Sequence, residues 1–377
     1  MSLHNRVAVV GVGTTTFGRL PGNDAYDLGM LAFREALADA GLEANDCDGL
    51  IVNRVPDYQR FAEIAGMSPR FALMTPGQGR MSGATIEIAA AIIGAGLAHT
   101  VALVYGNNGR SAGDQYGGAT DRYGGGAIGP WLPYGMTSPG AAHAVMFQRH
   151  MHEYGTTSEQ LAAVAVAFRK HAVLNPDAVM RTPITVADHQ ASRFIAEPLH
   201  LFDYCLINDG GVAMILTSAE RARDFPKPPV YVRGVGVASA LAGSSLPPED
   251  YWYEPMAKVA EQTYAMAGVK HDDLDGLMIY DNFSPTVLFS LEGFGFCKRG
   301  ESGAFVQDGR LELGGQFPAN TDGGHLSNSY MQGWGLNVEA VRQLRGECGP
   351  RQIEDAKLIQ YVCAAPLVTS IIYGRDA

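Results

Sequence analysis

Apolar positions recur along this chain with two different periods, and their alternation predicts an α/β protein. "LGMLAFREALADAG" (28–41) carries apolar residues at i, i+3 and i+4 and stops at Gly41, the pattern of an amphipathic helix closed by a glycine. "VALVYG" (101–106) and "KLIQYV" (357–362) are apolar almost throughout, as parallel strands covered on both faces should be. The most apolar stretch, Ile86 to Tyr105, contains Glu87, His99 and several glycines. It reads as a buried helix followed by a strand rather than a membrane span.

The pattern also repeats. "ADAGLEANDCDGLIV" (38–52) and "AMAGVKHDDLDGLMI" (265–279) share a frame in which Gly49 falls on Gly276 and Leu50 on Leu277. Upstream of each copy a strand-like run ends in Gly-Val-Gly: "VAVVGVG" (7–13) and "VYVRGVG" (230–236). Self-similarity of this kind predicts two similar α/β halves, each reading strand, helix, strand, helix, strand. We divide them at 1–225 and 226–377, with "DFPKPP" (224–229) as the link. Between 107 and 203 the pattern loosens. The glycine-rich, aromatic run 107–139 is too long for an ordinary connection and is expected to be a functional loop over the core. The helical stretch "SEQLAAVAVAFRKHAVLNP" follows it.

Composition changes this picture little. The 377 residues carry a formal charge of −11 with no basic run, so neither nucleic acid nor an anionic membrane is an expected partner. Five scattered cysteines (Cys47, Cys205, Cys297, Cys348, Cys363) without CxxC spacing argue against a disulfide framework and against a zinc site on this chain. The start, "MSLHNRVAVVGVG", enters a strand without a signal-peptide core, so a cytoplasmic location is expected.

Several motifs could carry chemistry. "GVGTTTFG" (11–18) lacks the spacing of a dinucleotide fingerprint, and its glycines are expected to turn the chain after a strand. His143, His150 and His152 have no completing ligand at helical spacing. "GQGRMSGATIEIAAAII" (77–93) reads as a tight turn entering a buried helix, with Ser82 either a nucleophile or a helix N-cap. Asn282 and Ser284 can cap the helix after Tyr280, which stands at a strand end, where α/β enzymes place chemistry. "GGHLSNSYMQGWG" (323–335) frames Tyr330 with glycines that let a backbone turn sharply and approach a ligand.

Taken in order, the repeated halves, "GVGTTTFG", "NFSPTVLFSLEGFGFCKRGE", "GQFPANTDGGHLSNSYMQGWG" and "YVCAAP" resemble the thiolase superfamily over essentially the whole chain. Within it the resemblance is to sterol-carrier-protein-type thiolases and lipid-transfer-protein-like enzymes. That implies a thiolase fold and a homodimer. The departures carry the functional reading. Thiolases place a nucleophilic cysteine in C-x-S-G where this chain has Arg80-Met81-Ser82-Gly83, and the group's His-Asp-x-Phe reads Tyr280-Asp281-Asn282-Phe283. Gly-His-Pro is replaced by Ser329-Tyr330-Met331, and Cys363 alone keeps the place of the second cysteine.

A thiolase-like site without its nucleophile and with two tyrosines is similar to the thiolase-like steroid side-chain aldolases. This resemblance implies retro-aldol cleavage of a β-hydroxyacyl-CoA to a ketone or aldehyde and a shorter acyl-CoA, with coenzyme A as part of the substrate and no covalently bound cofactor. Tyr280 and Tyr330 are then the acid/base pair. Asp281, Asn282, His325, Cys363 and Ser82 are supporting candidates, and Arg80, Gly323 and Gly324 are substrate-binding ones. In the resembling aldolases a small OB-fold, zinc-ribbon protein accompanies the thiolase-like chain, and such a partner is implied here. Two other readings stay open: an acyltransferase using Ser82 or Cys363, and a non-catalytic lipid or acyl-CoA binding module.

Overall fold

Alternate residues of strand β1 (Val7–Thr14) face two different cores, which places this strand inside a layered structure. Val7 and Val9 pack toward the centre of the molecule, and Ala8 and Val10 pack beneath helix α1 (Ala25–Ala40). The computed structural model describes residues 3–114, 136, 138–244 and 246–376. After α1 come β2 (Gly49–Asn53), α2 (Tyr58–Ala65), β3 (Phe71–Thr75), α3 (Met81–Gly94) and β4 (Thr100–Asn107). Helices α4 (Pro139–Tyr154), α5 (Ser158–Leu174) and α6 (Val186–Ala191) and the hairpin β5 (Phe194–Ala196) and β6 (Leu199–His200) lead to β7 (Gly210–Ser218). The second half comprises β8 (Val230–Ser239), α7 (Tyr253–Ala267), β9 (Gly276–Ile279), α8 (Ser284–Gly293), α9 (Ser302–Gln307), α10 (Gly324–Ser327), α11 (Trp334–Arg345), β10 (Leu358–Cys363) and β11 (Leu367–Gly374).

Nine strands form one sheet in the order β3-β2-β4-β7-β1-β8-β11-β10-β9. The run β2-β4-β7-β1 in the first half recurs as β9-β10-β11-β8 in the second. The halves meet where β1 and β8 pair antiparallel through Ala8–Tyr231 and Val9–Val230. β3 has a counterpart reduced to a single bridge, Leu277–Ala319. Only β2–β3, β2–β4 and β9–β10 pair in parallel, so the expectation of parallel strands holds for part of the sheet. The strands are apolar throughout because helices cover both faces, whatever their direction. Helix α1 lies on β1, β4 and β7, and α7 on β8 and β11, while α3 and α11 touch strands of both halves.

The expected turn at Gly11 and Gly13 is corrected by this packing. Both lie within β1, and a Cβ at Gly13 would stand 2.2 Å from the Ala32 carbonyl oxygen of α1. Gly234 repeats the device, with the Thr263 carbonyl oxygen of α7 at 2.4 Å from a built Cβ. Gly13→Ala therefore forces α1 off the sheet. We expect it to cost about 1–3 kcal/mol or more, read as a lower urea midpoint at unchanged slope. An unchanged midpoint would show that α1 can retreat freely.

Helix α1 ends, as its sequence predicts, at Gly41 in the left-handed region (φ 67°), and Asp24 closes its other end with a reciprocal cap to Asp27. From 138 onward the loosened stretch carries α4 to α6 and the β5–β6 hairpin, with α5 where the helical pattern lies. The glycine-rich run expected over the core has its middle, 115–135, outside the described residues. Among the described residues no helix is long and apolar enough to cross a membrane.

Candidate active site

The site is built where strand ends and one turn from the two halves converge. β9 stops at Ile279, whose N–H donates to Asn320 Oδ1 (2.7 Å) while Asn320 Nδ2 donates to its carbonyl (2.8 Å). The Tyr280 N–H then donates to Val362 O of β10 at 2.8 Å, so its ring enters the core between the halves. The turn from Asn320 to Gly333 reaches that core through left-handed residues, among them Gly323 (φ 106°), Gly324 (φ 63°) and Gly333 (φ 87°). A Cβ on Gly324 would meet Asp281 Oδ2 at 2.3 Å. At the turn's far side the Tyr330 N–H donates to Asn208 Oδ1 at 2.7 Å. The outcome is a hydrogen bond of 2.8 Å between the Tyr280 and Tyr330 hydroxyls, with the residues 3% and 7% exposed.

His325 and Asp281 hold this pair in place. The His325 ring packs edge-on against both tyrosines, with centroids at 4.8 Å and 5.1 Å. Its Nε2 accepts the Gly333 N–H (3.0 Å), and its Nδ1 stands 3.0 Å from Asp281 Oδ1 out of line for a hydrogen bond. Asp281 also accepts the N–H groups of His325 and Leu326 (2.9 and 3.2 Å). With both ring nitrogens turned to the protein, His325 positions the tyrosines. Asp322, beneath the turn, accepts from Gly324 N–H and Asn328 Nδ2, and burial followed by the charge of Glu339 pushes its carboxyl up.

Burial, above all, raises both phenols above their ordinary value, Tyr280 with a further push from Tyr330 and Cys363. Both are therefore neutral hydroxyls around pH 7, and neither is a standing phenolate base. Cys363 is fully buried and its thiol is pushed up to about 12 by burial, against the opposing pull of Tyr361 and then of Arg80. A thiol so placed is a poor nucleophile. Arg80 stands at the start of α3, half-buried, and forms no hydrogen bond or ion pair among the described residues.

Ser82 and Ser284 do not cap their helices. The Ser82 hydroxyl pairs with Tyr361 Oη at 2.9 Å deep in the core, and α3 has no side-chain cap. Among the described residues Ser284 Oγ has no partner, and Asn282 Oδ1 accepts from the Thr286 hydroxyl at 2.8 Å, so α8 has no side-chain cap from either residue. His150, one of the three histidines without a completing ligand in the sequence, is fully buried and faces Glu292 at 3.2 Å. Among the described residues no group of three or more His, Cys, Asp or Glu side chains could hold a metal ion. Two cavities among them, of about 270 and 20 Å³, are lined by neither Tyr280 nor Tyr330.

Four residues of this neighbourhood escape a reading of the chain alone: Gly79, Tyr105, Asn208 and Tyr361. A Cβ on Gly79 would stand 1.5 Å from Tyr280 Oη, so the turn before α3 lies directly against that hydroxyl. The repeat could have flagged Tyr105. Gly49 pairs with Val101 as Gly276 pairs with Ile359, so counting four residues on places Tyr105 where the second half has Cys363.

Two repeated halves sharing central helices, with a site at their junction, define a thiolase-fold protein. The Thiolase C-terminal domain-like family matches residues 243–362. A steroid side-chain-cleaving aldolase of Thermomonospora curvata is 39% identical over 91% of this chain and 91% of its own. The 17-hydroxy-3-oxo-4-pregnene-20-carboxyl-CoA lyase of Mycobacterium tuberculosis is 38% identical over 91% of this chain and 92% of its own. The solved structure of an Ltp2-ChsH2(DUF35) aldolase superposes with a TM-score of 0.91 at 36% identity, covering 99% of both chains. The chain belongs to the thiolase superfamily, in the sterol-carrier-protein branch that holds the thiolase-like steroid side-chain-cleaving aldolases.

Proposed function

We propose that this chain is a retro-aldolase that cleaves a β-hydroxyacyl-CoA, with a steroid side-chain thioester as the substrate class. The observation that carries this reading is the 2.8 Å hydroxyl pair of Tyr280 and Tyr330 in a site where Arg80 replaces the family's nucleophilic cysteine. The reaction needs no nucleophile: the β-hydroxyl loses a proton, the bond between Cα and Cβ breaks, and Cα of the resulting enolate gains a proton. Because burial keeps both phenols neutral, the pair acts as a relay. One tyrosine takes the proton of the β-hydroxyl as it passes its own to the other, which protonates Cα. No net charge then builds up on the pair, and the products are a ketone or aldehyde and a shorter acyl-CoA.

The buried, protonated Cys363 and the Ser82 hydroxyl engaged with Tyr361 speak against an acyltransferase. Arg80 is the candidate for the anionic part of the CoA substrate, and Gly323 and Gly324 let the turn approach it. The similar solved aldolase, Ltp2-ChsH2(DUF35), includes a DUF35 component. We extend this to a small OB-fold, zinc-ribbon partner, a homodimeric thiolase core and a cytoplasmic location.

The test is incubation of the purified chain, with and without such a partner, with a β-hydroxyacyl-CoA. We expect a carbonyl product, a shortened acyl-CoA and an unmodified intact mass. A stable acyl mass on Ser82 or Cys363 would overturn the reading, as would tight binding without turnover in the presence of the partner.

A further inference from the structure

We propose that Tyr105 is a third substrate-contacting phenol, a hydrogen-bond donor reserved for the thioester oxygen that becomes the enolate. Resting on the retro-aldolase reading, this adds a role that the tyrosine pair does not fill. Five buried tyrosines of the central core have hydroxyls within it: Tyr105, Tyr280, Tyr330, Tyr361 and Tyr373. Tyr280 bonds Tyr330, Tyr361 bonds Ser82, and Tyr373 donates to Asn337 Oδ1 at 2.8 Å. Among the described residues the Tyr105 hydroxyl alone of these five has no partner, although the residue is fully buried. A fold rarely leaves a buried hydroxyl unpaired unless something else completes it.

The place of Tyr105 says what completes it. It sits near the end of β4, paired across from Asn53 at the end of β2, and a parallel pair of this kind directs its carboxyl ends toward a ligand site. Its counterpart in the repeat, Cys363, is a neighbour of Tyr280, and Tyr105 is itself an electrostatic neighbour of Tyr330. Arg54, bound to Asp114 at 3.2 Å, acts on both Tyr105 and Tyr330. Burial pushes the Tyr105 phenol up to about 12, with Arg54 opposing and Asp114 reinforcing. It therefore stays protonated and donates without exchanging protons, which is what a developing oxyanion requires.

Tyr105→Phe in the full chain, with partner where turnover requires it, tests this. Removing the unpaired hydroxyl should leave the melting temperature unchanged or higher. We expect kcat for cleavage to fall by about 10²–10³-fold. Exchange of the Cα hydrogens of the shortened acyl-CoA in heavy water, which needs the enolate but no carbon–carbon cleavage, should fall in parallel. Retention of more than about a third of both rates would make Tyr105 a wall residue, and loss of both with a lowered melting temperature would make it a structural one. If the wild type neither cleaves nor exchanges, the retro-aldolase reading has failed. The contact is then read from binding of the shortened acyl-CoA, and equal affinity of wild type and Tyr105→Phe overturns it.

Discussion

Tyr330→Phe and Tyr280→Phe are each expected to lower kcat by about 10²–10⁴-fold, the usual contribution of a positioned acid or base. Each substitution keeps the ring and removes the hydroxyl, so packing against His325 survives. The stability cost is one buried hydrogen bond and one orphaned hydroxyl, about 1–3 kcal/mol at most. Since the proposed relay needs both hydroxyls, the double variant should lose little more than the worse single one. The pH dependence has a definite sign. Both phenols are raised above 10.0 by burial, so the neutral pair persists through neutral pH and activity should not fall from this cause below that value. Their contribution to stability is full below pH 10 and is lost as pH rises through the raised folded-state values. Two single variants that each retain more than about a third of wild-type kcat, with chemistry shown to be rate-limiting, would sink the relay.

Gly79→Ala is expected to damage the same step without touching either tyrosine. The added methyl would stand 1.5 Å from Tyr280 Oη and 2.4 Å from its Cζ. Tyr280 is buried and held edge-on by His325, so either its ring rotates or the turn before α3 retreats. Both displace the hydroxyl from Tyr330, and a shift of about 1 Å in a reacting group can cost 10²-fold in rate. We expect kcat to fall by about that factor, with about 1–3 kcal/mol lost from overpacking. Combining Gly79→Ala with Tyr280→Phe removes the nearest contact. Part of the lost stability should return, with turnover no lower than in Tyr280→Phe alone, a coupling that a double-mutant cycle reads directly. Additive losses in stability would show that Gly79 is not set against Tyr280.

The sequence by itself determined the α/β class, the repeat of the two halves and the end of α1 at Gly41, because each is written in local periodicity or in similarity between segments. It also singled out Tyr280 and Tyr330, the one by its strand end and the other by the glycines that let residues 323–333 turn back on themselves. The tertiary structure alone decided the antiparallel β7 and β11, since an apolar strand covered on both faces looks the same in either direction. It put Gly11 and Gly13 under α1 rather than in a turn, because close approach between elements has no signature in either element alone. It gave Ser82 a partner in Tyr361, 279 positions away, and brought Tyr280 and Tyr330 together across 50. The hydroxyl left unpaired on Tyr105 among the described residues shows the same limit. A missing hydrogen bond is visible only once every potential partner has been placed in space.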